Sequence, residues 1–131
     1  MRLSKRQRRL WQYMIAKLKA KFPPGVPVEV RTVDNIKIDG YSYGAMKLGR
    51  MVKIVIRINR KQPWKVKTDA LLHEWAHSME WSAHWVDGSP KEDHGETWGV
   101  WYAKIYRHMW DECWDEMRAR KLIHPELMDI E

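Results

Sequence analysis

Leu71-Leu72-His73-Glu74-Trp75-Ala76-His77-Ser78-Met79-Glu80-Trp81 mixes an apolar helical pattern with polar side chains. Leu71, Leu72, Trp75, Ala76 and Met79 recur at helical spacing, as in a helix set into a core. Two histidines and a glutamate interrupt that pattern. A buried polar group without a partner costs free energy, so such a helix needs a reason to hold three. Helix positions four apart lie one above the other. His73 and His77 therefore share a face, with Glu74 beside them. H-E-x-x-H so placed offers two imidazoles to one Zn²⁺ and a carboxylate to the water that the ion activates. The ion lowers the pKa of that water, and Glu74 is placed to take its proton and pass it to a leaving amine.

A catalytic zinc takes three protein ligands and keeps one position open. Downstream candidates are His84, Glu92, Asp93, His94 and Glu96. The extended pattern H-E-x-x-H-x-x-G-x-x-H fails, because Glu80 and Ala83 stand where it needs Gly and His. A helix continuing past His77 carries His84 about 10 Å along its axis, too far for the same ion. His94 is the preferred third ligand. It follows a loop with Gly88 and Pro90, which lets the chain turn back, and it precedes a helix start at Gly95. Glu96 is the runner-up.

Working outward, Thr68 or Asp69 is a plausible cap for the H-E-x-x-H helix, which runs to Trp81 or Trp85. Residues 87–95 read as loop. A long helix is expected from Glu96 to Arg120, with Trp98, Trp101, Ile105, Met109 and Trp110 as its apolar side. Upstream, Ser4 can cap a first helix to Lys21, with Leu10, Met14 and Leu18 recurring every four residues and Trp11 and Ile15 beside them. Pro23-Pro24-Gly25 ends it. Three strand signals follow: Val26 to Val33, a weaker one from Ile36 to Tyr43, and Met51 to Asn59, where Val52, Ile54, Ile56 and Ile58 alternate with Lys53, Val55 and Arg57. The expected fold is α+β: an N-terminal helix, a small three-stranded antiparallel sheet, the H-E-x-x-H helix and a second metal-site helix.

The 131 residues, 44% hydrophobic, suit one domain over 1–131, with a basic helix at 1–22 and a tail at 121–131. Nine Trp, seven of them between Trp75 and Trp114, read mainly as core packing. Cys113 stands alone, which excludes an intramolecular disulfide and a Cys-rich zinc finger and suits a reducing compartment. No apolar run reaches membrane-span length, and the start has no apolar segment of a secretory signal. The expected location is cytoplasmic, or nuclear in a eukaryote.

The net charge of +7 hides an asymmetry. Residues 1–67 hold eighteen Lys and Arg against Glu29, Asp34 and Asp39, a net +15, and residues 68–131 carry −8. A polyanionic partner such as nucleic acid suits the basic half; mutual neutralisation of the two halves is the alternative. Lys5, Arg6, Arg8 and Arg9 are candidate nucleic-acid contacts, or else a solvated helix face.

At "INRK" (Ile58–Lys61), "DALLHEWAHSMEW" (Asp69–Trp81) and "DHGETWGVWYAKIYR" (Asp93–Arg107), the chain resembles the SprT/Spartan-like zinc metalloproteases. Their pattern is a strand, an H-E-x-x-H helix, a loop, and H-G-x-x-[FW] opening a second helix, which His94, Gly95 and Trp98 fit. The match covers roughly Met51 to Arg107. The resemblance implies a minimal zincin in which His73, His77 and His94 bind zinc and Glu74 is the general acid/base. It also implies that the strand at Val52 to Ile58 is an edge to which a substrate peptide adds. Spartan-type members cleave proteins crosslinked to DNA; this chain departs from them in having no Cys-based zinc ribbon. Tyr102, about two turns beyond His94, is a candidate stabiliser of the developing oxyanion, alongside Tyr106, Arg107 and His108; packing is the alternative.

The leading expectation is a zinc-dependent endopeptidase acting on a protein or peptide substrate. Two others stand beside it: a non-catalytic zinc-containing nucleic-acid-binding or regulatory protein, and a regulatory protease with one dedicated substrate. The sequence carries no signal of oligomeric state.

Overall fold

The computed structural model describes residues 4–84 and 96–123. Helix α1 (Lys5–Lys21) starts in a capping box: the Gln7 N–H donates to the Ser4 hydroxyl at 3.1 Å, and the Ser4 N–H donates to the Gln7 side chain at 2.9 Å. Its expected apolar face is buried, with Leu10, Met14 and Leu18 at or below 1% exposure. Strands β1 (Val28–Val33), β2 (Gly40–Lys47) and β3 (Arg50–Asn59) follow, then helices α2 (Trp64–His84), α3 (Glu96–Arg107) and α4 (Trp114–Ala119). The α+β class, the N-terminal helix and the three-stranded sheet are as expected.

The sheet order differs from a simple meander. β3 lies in the middle, in the order β1-β3-β2. β2 pairs with it antiparallel through a tight turn at Leu48-Gly49, but β1 pairs with it parallel. The antiparallel reading holds for one ladder of the two. The reason lies in β3: Ile54, Ile56 and Ile58 are buried on one face, and Val55 is buried on the other. A strand apolar on both faces belongs in the centre of a sheet. The chain between β1 and β2 then has to pass the end of β3. Asn59 holds that crossing, its side-chain amide donating to the carbonyls of Ile36 and Ile38 at 3.2 and 3.1 Å. The second strand accordingly starts at Gly40, four residues later than its local pattern suggested.

α2 begins at Trp64, directly after Pro63, rather than at Thr68; the Thr68 hydroxyl donates back to the Lys65 carbonyl inside the helix. Ala70 to Met79 are buried on nearly every side, packed between the sheet and the other helices. Trp75, fully buried, donates its indole N–H to the Phe22 carbonyl at 2.9 Å and ties α2 to the end of α1. Trp11, Trp64 and Trp75 are core residues, whereas Trp98, Trp101, Trp110 and Trp114 are half-buried. The expected single helix from Glu96 to Arg120 is broken by a π-turn, His108–Glu112, where the Cys113 N–H reaches back five residues to the His108 carbonyl at 3.0 Å. No described helix is long and apolar enough to cross a membrane.

Candidate metal centre

The H-E-x-x-H residues come together on α2 as their spacing requires. The Nε2 atoms of His73 and His77 are 3.2 Å apart. Two nitrogens about 2.05 Å from one tetrahedral zinc stand about 3.3 Å from each other, so the separation fits a shared ion. His77 is buried and His73 is half-buried, and each turns a ring nitrogen to the same point. Glu74 is buried as well, with Oε2 3.8 Å from His73 Nε2. These three side chains are the group among the described residues whose donor atoms converge, all within 4.8 Å of one another.

The Glu74 carboxylate is held from the sheet. The Ser42 hydroxyl on β2 donates to its Oε1 at 2.7 Å. That leaves Oε2 on the histidine side, a division of labour that suits a proton-transfer role. β2 approaches α2 closely because its inward face carries small residues. At Gly40 an added Cβ would lie 2.9 Å from the Arg57 carbonyl oxygen and 3.7 Å from the Ala70 Cβ. Ser42 has no signature in its own neighbourhood. The available hint was the alternation Gly40, Ser42, Gly44, a strand face kept small against something bulky.

From the other side, Trp98 lies against both imidazoles, its ring centroid 4.9 Å from that of His73 and 5.6 Å from that of His77. Its indole N–H donates to the His73 carbonyl at 3.3 Å. This packing fixes the imidazole planes and limits water on that side. Tyr102, one turn further along α3, has its ring 6.1 Å from His73. Both Tyr102 and His73 line a cleft of about 400 Å³, whose walls also include Asp39, Gly40, Asp69 and Glu74. Burial pushes the Tyr102 hydroxyl pKa above its ordinary value, with the Asp69 charge adding to the effect. The phenol therefore stays a proton donor across the neutral range. Burial also raises the Asp69 carboxyl, against the pull of Lys65.

His94, the preferred third ligand, lies outside the described residues, as do Glu92 and Asp93. Glu96 opens α3, is exposed, and does not join the converging group. Tyr106 is nearly half exposed. His108 turns instead to Glu112, 2.7 Å away. Lys5, Arg6, Arg8 and Arg9 are exposed on the first turns of α1, where Arg9 reaches the Arg120 carbonyl at 3.4 Å. β3 is central and cannot be the edge that accepts a peptide. Among the described residues, the sheet edge beside the cleft is that of β2.

No family model, curated protein or solved structure matches the chain.

Proposed function

We propose that this protein is a zinc-dependent endopeptidase with Glu74 as its general acid/base and His73, His77 and His94 as the metal ligands. The observation that carries the reading is the pair of Nε2 atoms 3.2 Å apart, with a buried carboxylate beside them anchored by Ser42. Two neutral imidazoles at that distance share one proton-mediated contact at best; a metal ion satisfies both. A structural site has no need of the glutamate. The sequence resemblance to SprT/Spartan-like metalloproteases supports the same assignment.

A zinc ion bound there supplies a Lewis acid and brings a water toward neutral pKa. The chain's own residues do the rest. An extended substrate peptide pairs with the open edge of β2, which lays its backbone across the cleft. Glu74 takes the proton of the attacking water and gives it to the leaving amine, while the Ser42 hydrogen bond keeps the carboxylate aimed. Tyr102, which lines the cleft and stays protonated, would donate its hydroxyl to the oxygen that gains charge. Trp98 keeps the histidine rings in place.

Metal analysis and proteolysis test the reading together. Protein prepared without chelator is expected to hold close to one zinc per chain and to cleave an unstructured protein. Chelation should stop cleavage, and zinc should restore it. Absence of bound zinc overturns the assignment. Zinc binding without hydrolysis of any offered polypeptide favours the non-catalytic alternative.

A further inference from the structure

The sheet has a second face, turned away from α2. Alternation places Glu29 and Arg31 of β1, Lys53, Val55 and Arg57 of β3, and Tyr41 and Tyr43 of β2 on it together. The core residues of the helices pack on the opposite face, against Val28, Ile54, Ile56 and Ile58. Arg31 and Arg57 are direct partners in register, as are Arg57 and Tyr41. Two guanidinium groups side by side on adjacent strands repel one another.

Arg31 has an answer to that repulsion in Glu29, at 2.9 Å, and Lys53 shares the same carboxylate at 2.9 Å. Arg57 has none: among the described residues it meets no carboxylate, and its partner is the Tyr41 hydroxyl, with the guanidinium 5.5 Å from the ring centroid. The Tyr41 and Tyr43 rings are stacked at 26°, centroids 6.1 Å apart, and Tyr43 is 39% exposed. The β2–β3 hairpin, residues 40–59, holds Lys47, Arg50, Lys53 and Arg57 and no acid at all.

A sheet face with near-parallel rings beside Arg57, which meets no carboxylate among the described residues, and beside Arg31 and Lys53, which share the single carboxylate of Glu29, is complementary to a chain of phosphates carrying unstacked bases. A duplex hides its bases and would use the charges alone. A lipid surface would use the charges and leave the ring stack without a role. We propose that this outer face docks a single-stranded nucleic acid, phosphates against Arg57 and Arg31 and bases on Tyr43 and Tyr41. The contact lies on the far side of the sheet from the metal centre and does not depend on it. It also relocates the nucleic-acid contact from the first turns of α1 to the sheet.

The test uses the full chain carrying Glu74→Gln, so that hydrolysis plays no part, and a fluorescent oligothymidylate followed by anisotropy at low and moderate salt. Salt-sensitive binding is expected. Tyr43→Ala should weaken it about tenfold, in line with the loss of one base stack, and Tyr43→Phe should restore it. Arg57→Gln should weaken it and flatten the salt dependence by about one counter-ion. Replacing Lys5, Arg6, Arg8 and Arg9 together by Ala should change affinity less than twofold. The proposal is overturned if the oligonucleotide does not bind, or if the α1 substitutions abolish binding while the Tyr43 and Arg57 variants bind normally. It is also overturned if the equivalent duplex binds as tightly and Tyr43→Ala has no effect, or if only anionic vesicles are bound. A thermal melt of each variant separates lost contact from lost fold.

Discussion

α1 and α2 are both helices that pack into one core, yet they keep their polar residues in opposite places. α1 turns Lys5, Arg6, Arg8 and Arg9 outward, and what it buries is apolar apart from the Tyr13 hydroxyl. α2 buries Lys67, Thr68, Glu74, His77, Ser78 and Glu80 among Leu71, Leu72, Trp75 and Ala76. In α1 the polar residues make the helix start and stay soluble. In α2 they are costs that partners must offset, as the Thr68 and Ser78 hydroxyls do by donating to carbonyls of their own helix; for Glu74 and His77 the proposed metal site would supply the partner. Amphipathic periodicity describes a helix with one wet face, and its breakdown in a buried helix means that each polar group there needs a partner.

The sharpest way to break that contrast is Glu74→Gln. If Glu74 serves chemistry, its loss should lower peptide hydrolysis by about 10³-fold, within the usual span for a general acid/base, while bound zinc and the melting temperature persist. A variant that unfolds, or that cleaves at the normal rate, would assign Glu74 a structural role like that of the α1 polar residues. Trp75→Ala asks the converse question of the apolar part of α2. It removes a fully buried indole and its bond to Phe22, and should cost about 3–5 kcal/mol in urea denaturation.

Ser4→Ala probes a polar residue whose role in α1 is structural. It should cost about 1 kcal/mol through the lost cap, with hydrolysis per folded molecule unchanged. The smallest effect concerns the contact from α1 to α4. The Glu116 carboxylate lies 3.2 Å from Lys17, and that hydrogen bond holds its pKa below the ordinary 4.5. A depressed carboxyl stabilises the fold above its unfolded pKa and loses that contribution as pH falls through the folded value. The melting temperature should therefore decline below about pH 4.5, and Glu116→Gln should make that decline shallower.

Much of this architecture was legible because it is written locally. The Ser4 cap, the every-fourth-residue face of α1 and the H-E-x-x-H spacing depend on neighbours within a turn or two. The centre position of β3 was half-visible in Val55, an apolar residue on what should have been the polar side of an alternating strand. The crossing from β1 to β2 was not visible, since it rests on Asn59 bonding to carbonyls more than twenty residues earlier. Ser42 was missed for the same reason: its importance comes from Glu74, thirty-two positions away. Thr68 misled because a residue that caps well also sits inside a helix when it can bond its own preceding turn.

The π-turn between α3 and α4 changes the phase of the whole C-terminal segment. Ile105, Met109, Cys113 and Met117 stand four apart and are all buried. In an unbroken α-helix a row of period four drifts about 40° per step around the axis, so Met117 would have rotated away from the core that Ile105 faces. The wider turn at His108–Glu112 under-rotates and cancels part of that drift, like a vernier reset midway along a scale. Deleting one residue from it would straighten the helix and still leave Met117 on the Ile105 side, because eleven residues close about three α-helical turns, while α3 and its hold on the histidines stayed where they are.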